Sequence, residues 1–406
     1  MTIRPLHAVL LPPADAAPRL LDTLPAALDG TGPALLPLDP GLPQPRLAAL
    51  LEAFAPSNIE TIAGTERYRD PRSGQHRHPA VGEDTALVIA TSGSTGQPKG
   101  TELSGTALLA SARASMRRIG ATDGERWLCC LPVFHISGIG VLMRSLLAGV
   151  APVIAERLEP GSLAASGCAH VSMVPTQLRR LLDAGADLTA VRTVLLGGAA
   201  IPAGLLEAAQ AAGVRVVTTY GMSETCGGCV YNGMPLDEVS VDIGPRDRIR
   251  IAGPVLFSGY WLRPDLTAQV RDGHWFVTSD IGSIGPSGEL QVRGRADDVI
   301  NTGGEKVVAA EVETVLGTCA GVREAAVVGR PDPEWGELVT AVVVPDDPSA
   351  PPSLADIRAH VRQSMPAHAA PAALVLLRRM PMLPSGKPDR EALRERAAAQ
   401  TRHPGI

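Results

Sequence analysis

The sequence predicts an α/β fold in two parts. The first, residues 1–294, is a large domain of helix-covered, mostly parallel sheets plus a small antiparallel barrel. The second, residues 295–406, is a small α+β domain. Three observations carry this expectation. From Thr85 to Thr219, short apolar runs alternate with amphipathic stretches, the pattern of strands feeding covering helices. After Gly244, short runs separated by turns such as Asp272-Gly273 and Pro286-Ser287-Gly288 read as antiparallel strands. Beyond Arg295, helix, strand, strand, helix and strand follow in a compact stretch.

Taken in order, residues 47–54 read as a short helix and residues 67–82, rich in arginine and histidine, as an exposed loop. Strands are predicted at 85–90, 127–131, 171–174, 191–196 and 214–219, with helices at 104–119, 138–147, 177–182 and 203–211 between them. Short strands follow at 248–251, 275–278 and 289–293. The last part holds helix 310–315, strands 325–328 and 339–344, helix 354–364 and strand 374–377.

Composition narrows the function. The chain of 406 residues is 45% hydrophobic and 19% charged, enough for a sizeable core. Lys+Arg 37 against Asp+Glu 42 gives a net charge of −5, which argues against a dedicated nucleic-acid binder. Four Trp, four Tyr and four Phe leave little for base stacking. No run of about 18 uncharged apolar residues predicts a membrane span. No signal-peptide cleavage site follows the first apolar run, and Cys129, Cys130, Cys168, Cys226, Cys229 and Cys319 read as reduced thiols. A cytoplasmic protein is therefore expected. A homodimer is compatible with the sequence, but no residue encodes it.

The most informative decapeptide is Thr91-Ser92-Gly93-Ser94-Thr95-Gly96-Gln97-Pro98-Lys99-Gly100, placed between predicted strand 85–90 and predicted helix 104–119. Glycines let a backbone wrap an anion, hydroxyls donate to phosphate oxygens, and Lys99 supplies positive charge. The spacing is neither G-x-x-x-x-G-K-[ST] nor G-x-G-x-x-G. A surface turn has a similar composition, so the loop takes its meaning from its companions.

The decapeptide resembles the phosphate loop of the adenylate-forming enzymes, a family of acyl- and aryl-CoA ligases, luciferases and peptide-synthetase adenylation domains. Companions follow in the family's order. Gly197-Gly198-Ala199-Ala200 resembles the adenine-pocket segment, and Tyr220-Gly221-Met222-Ser223-Glu224-Thr225 the YG-x-[TS]-E segment. Thr278-Ser279-Asp280 resembles the ribose-contacting TGD, with Ser279 where Gly is commoner. Gly294-Arg295-Ala296-Asp297-Asp298 resembles the hinge, and Pro384-Ser385-Gly386-Lys387 the catalytic-lysine loop. The resemblance covers about residues 84–393. Residues 172–178, 218–231 and 302–307 resemble one branch of the family, the ligases that join 2-succinylbenzoate to CoA. Only about 90 residues precede the phosphate loop, so the N-terminal part is short for the family.

The resemblance implies an enzyme using ATP, Mg²⁺ and CoA on a small carboxylic acid, in two half-reactions separated by movement of the C-terminal domain. It implies that Thr91, Ser92, Gly93, Ser94, Thr95, Gly96 and Lys99 hold phosphates, and that Gly198, Ala199, Tyr220, Gly221, Ser223, Asp280 and Arg295 hold the adenylate. Glu224 would bind Mg²⁺. Lys387 would stabilise the meeting of carboxylate and α-phosphate. His135, Ser137, Gly197, Thr225 and Gly227 would line the acyl pocket. Asp297 would be the pivot, with Gly303, Gly304, Glu305 and Lys306 brought to the CoA arm. Arg144 and Thr176 are the two guesses for a reader of a second carboxylate. The acceptor could instead be a carrier protein or an amine.

Two other readings are weaker. Gly221-Met-Ser-Glu-Thr225 lacks the last glycine of a serine-hydrolase elbow. Cys226-Gly-Gly-Cys229 has no second pair to complete a zinc site, and suits a small-residue pocket wall better. A binding module without catalysis would leave Lys387 and Glu224 without a task.

Overall fold

The computed structural model describes residues 4–69, 79–92, 98–202, 204–383 and 388–399. The chain divides into two compact units. One comprises residues 1–198, 209–241 and 251–276, and the other residues 199–208, 242–250 and 277–406.

The first unit is built on two seven-stranded sheets. In one, the order is Gly259–Tyr260, Pro98–Ser104, Thr85–Ser92, Ala34–Pro37, Leu6–Val9, Asn58–Thr61, Gly64–Arg67. The four central strands are parallel and the outer pairings antiparallel. The regular βαβ start was not predicted from the sequence. Its first helix, Pro13–Leu28, contains Pro18 and Pro25, which ordinarily end a helix. Both face solvent, while Ala16, Ala17, Leu20, Leu24 and Ala27 are buried. That buried stripe offsets the lost backbone bonds. Within the predicted loop 67–82, Arg67 ends the strand Gly64–Arg67 opposite Asn58 and Val81 makes an isolated bridge to Arg4; residues 70–78 lie outside the described residues.

The second sheet runs Met234–Pro235, Gly227–Tyr231, Val216–Met222, Thr193–Leu196, His170–Met173, Trp127–Cys129, Val153–Ile154. Its last five strands are parallel. Helices Gly105–Ile119 and Ile136–Ala148 pack on each other and on Gly227–Tyr231. The first of them starts where the Ser104 hydroxyl accepts from the Ala107 amide at 3.1 Å and stops at left-handed Gly120. Ser111 and Tyr231 then anchor it to the sheet: Ser111 donates to the Cys226 carbonyl at 3.1 Å, and the Ser115 and Tyr231 hydroxyls meet at 2.7 Å.

At the opposite end of these strands, Glu125 accepts from the Thr122 amide at 2.7 Å, meets His170 Nε2 at 3.2 Å and pairs with Arg192. Burial works against the Glu125 charge, but the hydrogen bonds from Thr122, His170 and Arg192 outweigh it and hold the carboxyl at about 2. A depressed folded value stabilises the fold above the ordinary 4.5, and that contribution is lost as pH falls from there through about 2. Glu125→Gln is therefore expected to lower the urea midpoint at pH 7, with the gap to the parent closing between pH 4.5 and 2. Midpoints measured across that range check it.

In the second unit, Val299–Thr302 and Glu305–Val308 form a hairpin that the sequence reading did not predict. Strands Val322–Asp332 and Gly336–Pro345 form a long antiparallel pair, joined by parallel Ala373–Leu376. Residues of Gly336–Pro345 alternate between two cores. Val339, Ala341 and Val343 face helices Ala309–Leu316 and Leu354–Arg362, whereas Val342 and Val344 face helix Arg390–Ala399. Elsewhere, the three antiparallel strands expected after Gly244 are present as Arg248–Ala252, Trp275–Ile284 and Leu290–Arg295, and their sheet also takes in Ser240–Ile243 and Arg271–Asp272, which were not predicted.

Candidate active site

The carboxyl ends of parallel strands are where α/β sheets place ligands, and the second sheet of the first unit gathers most candidates there. Trp127–Cys129 leads to His135 and Ser137, Thr193–Leu196 to Gly197 and Gly198, and Val216–Met222 to Ser223 and Glu224. Close approach explains two glycines. A Cβ at Gly197 would lie 2.1 Å from Thr219 Oγ1, and one at Gly221 would lie 2.0 Å from the Gly227 carbonyl oxygen. The turn after Met222 is held by Thr225, whose hydroxyl accepts from the Met222 amide at 2.9 Å and donates to the Gly227 carbonyl at 2.7 Å. His135 is half-buried at the start of helix Ile136–Ala148, and Tyr220 is half-buried at the strand end. Cys226 and Cys229 are buried and free. Burial pushes the Cys229 thiol up to about 12, so no thiolate is prepared there.

The phosphate decapeptide sits differently from the sequence expectation. Residues 93–97 connect two antiparallel strands, with Ser92 opposite Pro98 and Thr91 opposite Lys99, rather than a strand to a helix. The second strand was missed because it begins with Pro98 and carries Lys99, Gly100 and Glu102 among its apolar positions. The element that follows the loop is thus the strand Pro98–Ser104, and the helix Gly105–Ile119 begins only after it. The Thr91 hydroxyl donates to the Lys99 carbonyl at 3.3 Å. Gly93, Ser94, Thr95 and Gly96 lie outside the described residues, as does Lys387.

One functional candidate escaped the sequence reading. The Tyr260 hydroxyl donates to Glu224 Oε1 at 2.8 Å, and Lys99 Nζ lies 5.4 Å from the centroid of the Tyr260 ring. Tyr260 thus lies between Lys99 and the Glu224 carboxylate. The Gly259-Tyr260-Trp261 trio, in a chain so poor in aromatics, was the available signal. Among the described residues no group of three or more His, Cys, Asp or Glu side chains is placed to hold a metal. A single carboxylate fits Mg²⁺ carried by nucleotide phosphates, because that ion keeps most of its shell as water and phosphate oxygen.

Arg144 is buried in helix Ile136–Ala148. Its guanidinium donates to Ser172 Oγ at 3.0 Å and lies 4.4 Å from the Trp127 ring centroid. Among the described residues no carboxylate pairs with it, and its Nε has no hydrogen-bond partner. Thr176, the other guess, is exposed in the first turn of helix Pro175–Asp183.

In the second unit, Asp280 stands directly opposite Arg295 across an antiparallel pair, their charges 3.6 Å apart. Arg295 also donates to Asp297 at 3.0 Å. The latter pair is exposed, worth under about 1 kcal/mol, and so is a weak tether at the predicted pivot. Next to it, Asp298 pairs with Arg394 at 2.8 Å, and Arg390 grips Glu313 with both terminal nitrogens. Gly303 and Gly304 form the turn of hairpin Val299–Thr302/Glu305–Val308. Their φ of 60° and 84° meets the demand of a two-residue hairpin turn for left-handed backbone at both positions. Trp335, half exposed, covers Gly303: a Cβ there would lie 2.7 Å from the indole. Ala199 belongs to this unit as well.

A lysine-bearing strand end and a carboxylate joined through Tyr260 in one unit, and a carboxylate–arginine pair in the other, suit an enzyme that handles nucleotide phosphates. The AMP-binding enzyme family matches residues 15–295, and the AMP-binding enzyme C-terminal domain matches residues 311–387. The chain belongs to the AMP-binding enzyme family. It is 38% identical to a probable 2-succinylbenzoate–CoA ligase of Mycobacterium tuberculosis over 411 residues, covering 97% of this chain and 99% of that one. It is 35% identical over 340 residues to the 2-succinylbenzoate–CoA ligase of Escherichia coli, covering 80% of this chain and 74% of that one. Among solved structures, o-succinylbenzoate CoA synthetase (MenE) of Bacillus subtilis in complex with its acyl-adenylate intermediate OSB-AMP superposes with a TM-score of 0.82 at 27% identity, covering 97% of this chain and 89% of that one. The same synthetase is also known in complex with ATP and magnesium ion.

Proposed function

We propose that this chain is an ATP-dependent acid–thiol ligase. It converts 2-succinylbenzoate, ATP and CoA to 2-succinylbenzoyl-CoA, AMP and pyrophosphate through an acyl-adenylate. The near full-length likeness to ligases of that acid supports the class, and Arg144 supports the substrate. A buried guanidinium without a carboxylate partner is costly unless a ligand supplies the counter-charge. A diacid brings a second carboxylate; a simple acyl acid does not.

In the first half-reaction a carboxylate oxygen attacks the α-phosphorus, the bond to the bridging oxygen breaks, and pyrophosphate leaves. Two anions meet, so oriented donors and cations must offset their repulsion. Thr91, Ser92, the 93–96 loop and Lys99 hold the phosphates, and Ser223 donates to the α-phosphate. Glu224 holds Mg²⁺, which supplies charge neutralisation to the phosphate oxygens when bound. Lys387 brings an ammonium to the attacking and accepting oxygens. Tyr220, Gly198 and Ala199 receive adenine, and Asp280 and Arg295 the ribose. His135, Ser137, Gly197, Thr225 and Gly227 shape the acyl pocket.

In the second half-reaction the CoA sulfur, as thiolate, attacks the acyl carbonyl carbon and AMP leaves. Residues 295–406 act as the lid that exchanges these halves, pivoting at Asp297. The glycine turn at Gly303 and Gly304, with Glu305, Lys306 and the neighbouring Trp335, receives the pantetheine arm. All six cysteines are buried and free, which suits the reducing cytoplasm proposed for the enzyme.

A panel of acids scored by pyrophosphate release, with products weighed by mass spectrometry, tests this. The expected result is release dependent on 2-succinylbenzoate and Mg-ATP, and a thioester with free CoA. Turnover of fatty acids alone would remove the aromatic diacid. A product formed only with a carrier protein or an amine would remove CoA.

A further inference from the structure

We propose that Tyr260 is a positioning residue of the adenylation step, holding the Glu224 carboxylate in register with the phosphate-loop strand. This deepens the reading of Glu224 given above and rests on it.

The observations concern one short segment, residues 257–260. Its ends hold Glu224 at two points. The Phe257 amide donates to the Glu224 carbonyl at 2.9 Å, and the Tyr260 hydroxyl donates to Glu224 Oε1 at 2.8 Å. The same segment is stitched to the other sheet. Gly259 pairs with Glu102 and Tyr260 with Thr101, on the strand Pro98–Ser104 that begins beside Lys99. The Ser258 amide adds a bond to the Glu102 carbonyl at 2.8 Å, and the Trp261 amide one to the Gly100 carbonyl at 2.7 Å. Tyr260 itself has little freedom. It is 7% exposed, its amide donates to Thr267 Oγ1 at 2.8 Å, and its ring meets Phe257 edge-on at 5.0 Å. Lys99 Nζ lies 5.4 Å from that ring, within the range of a cation–π contact. Segment 257–260 is therefore a strap between the strand that carries the phosphate-binding lysine and the turn that carries the metal carboxylate.

The chemistry follows. A glutamate on a turn has three rotatable bonds, and a cation shared with nucleotide phosphates needs its carboxylate in one place. The phenol occupies one oxygen and leaves the other for the cation.

Tyr260→Phe removes the hydroxyl and keeps the ring under Lys99. The Mg²⁺ concentration for half-maximal pyrophosphate release is expected to rise about tenfold, the factor a hydrogen bond to a charged group supplies. Mn²⁺ affinity in the presence of a non-reacting ATP analogue, read by electron paramagnetic resonance on the full chain, is expected to weaken by a similar factor. Thioester formation from supplied acyl-adenylate consumes no triphosphate and is expected to change less than twofold. Glu224→Gln serves as the control. If it shifts both metal readouts while Tyr260→Phe shifts neither, the positioning role is wrong and the Glu224 assignment stands. If neither variant shifts them, the Glu224 assignment fails and the positioning role with it. Equal loss of both half-reactions in Tyr260→Phe would make the tyrosine merely structural and overturn the proposal.

Discussion

Lys387→Ala is expected to reduce acid-dependent pyrophosphate release by about a thousandfold, the range seen when a preorganised charge-stabilising group is removed from a transition state. The charge that builds on the α-phosphate oxygens during attack has no other mobile cation assigned to it. The same variant is expected to keep most of its ability to form thioester from supplied acyl-adenylate and CoA, because that step expels AMP without passing through a pentavalent phosphorus. The two rates are measured separately, by pyrophosphate release in the absence of CoA and by thioester yield from synthetic acyl-adenylate. Equal loss in both would contradict a lid that withdraws the lysine between the half-reactions.

The second large effect falls on Arg144→Met. The KM for 2-succinylbenzoate is expected to rise at least a hundredfold, since a buried guanidinium paired with a carboxylate is worth about 3 kcal/mol or more when one partner is removed. The KM for ATP is expected to stay within a factor of about two. Stability moves the other way: methionine introduces no unpaired charge where, among the described residues, Arg144 has Ser172 Oγ and the Trp127 ring beside it. A melting temperature equal to or above the parent's is therefore expected. A large fall in melting temperature with an unchanged KM would make Arg144 a packing residue and return the second-carboxylate question to Thr176.

The alternating core of the first unit was legible because its parallel strands are buried on both faces and read as uninterrupted apolar runs, as at residues 193–196. The opening βαβ was not, because Pro18 and Pro25 sit inside a helix whose buried side is mostly alanine and leucine. The hairpin at 299–308 was missed for a related reason: its strands are only four residues each and carry polar side chains. Among the candidate residues, the resemblance of motifs led to Lys99, Glu224, Asp280 and Arg295. It gave no hint that antiparallel register sets Asp280 beside Arg295. Spacing was equally silent on Tyr260, which reaches Glu224 from 36 residues away. Long-range partners of this kind follow from strand pairing, and pairing is weakly encoded where the strand has two residues, as Gly259–Tyr260 does.

The strand Gly336–Pro345 wears helices from its own stretch of chain on both sides. A sheet so clothed borrows no surface from elsewhere to keep its valines dry. The lid proposed above, residues 295–406, is therefore expected to keep this core when it is grafted onto a relative's larger domain. Chimeras joined near Asp297 are accordingly the natural way to ask which half of a ligase dictates its choice of thiol.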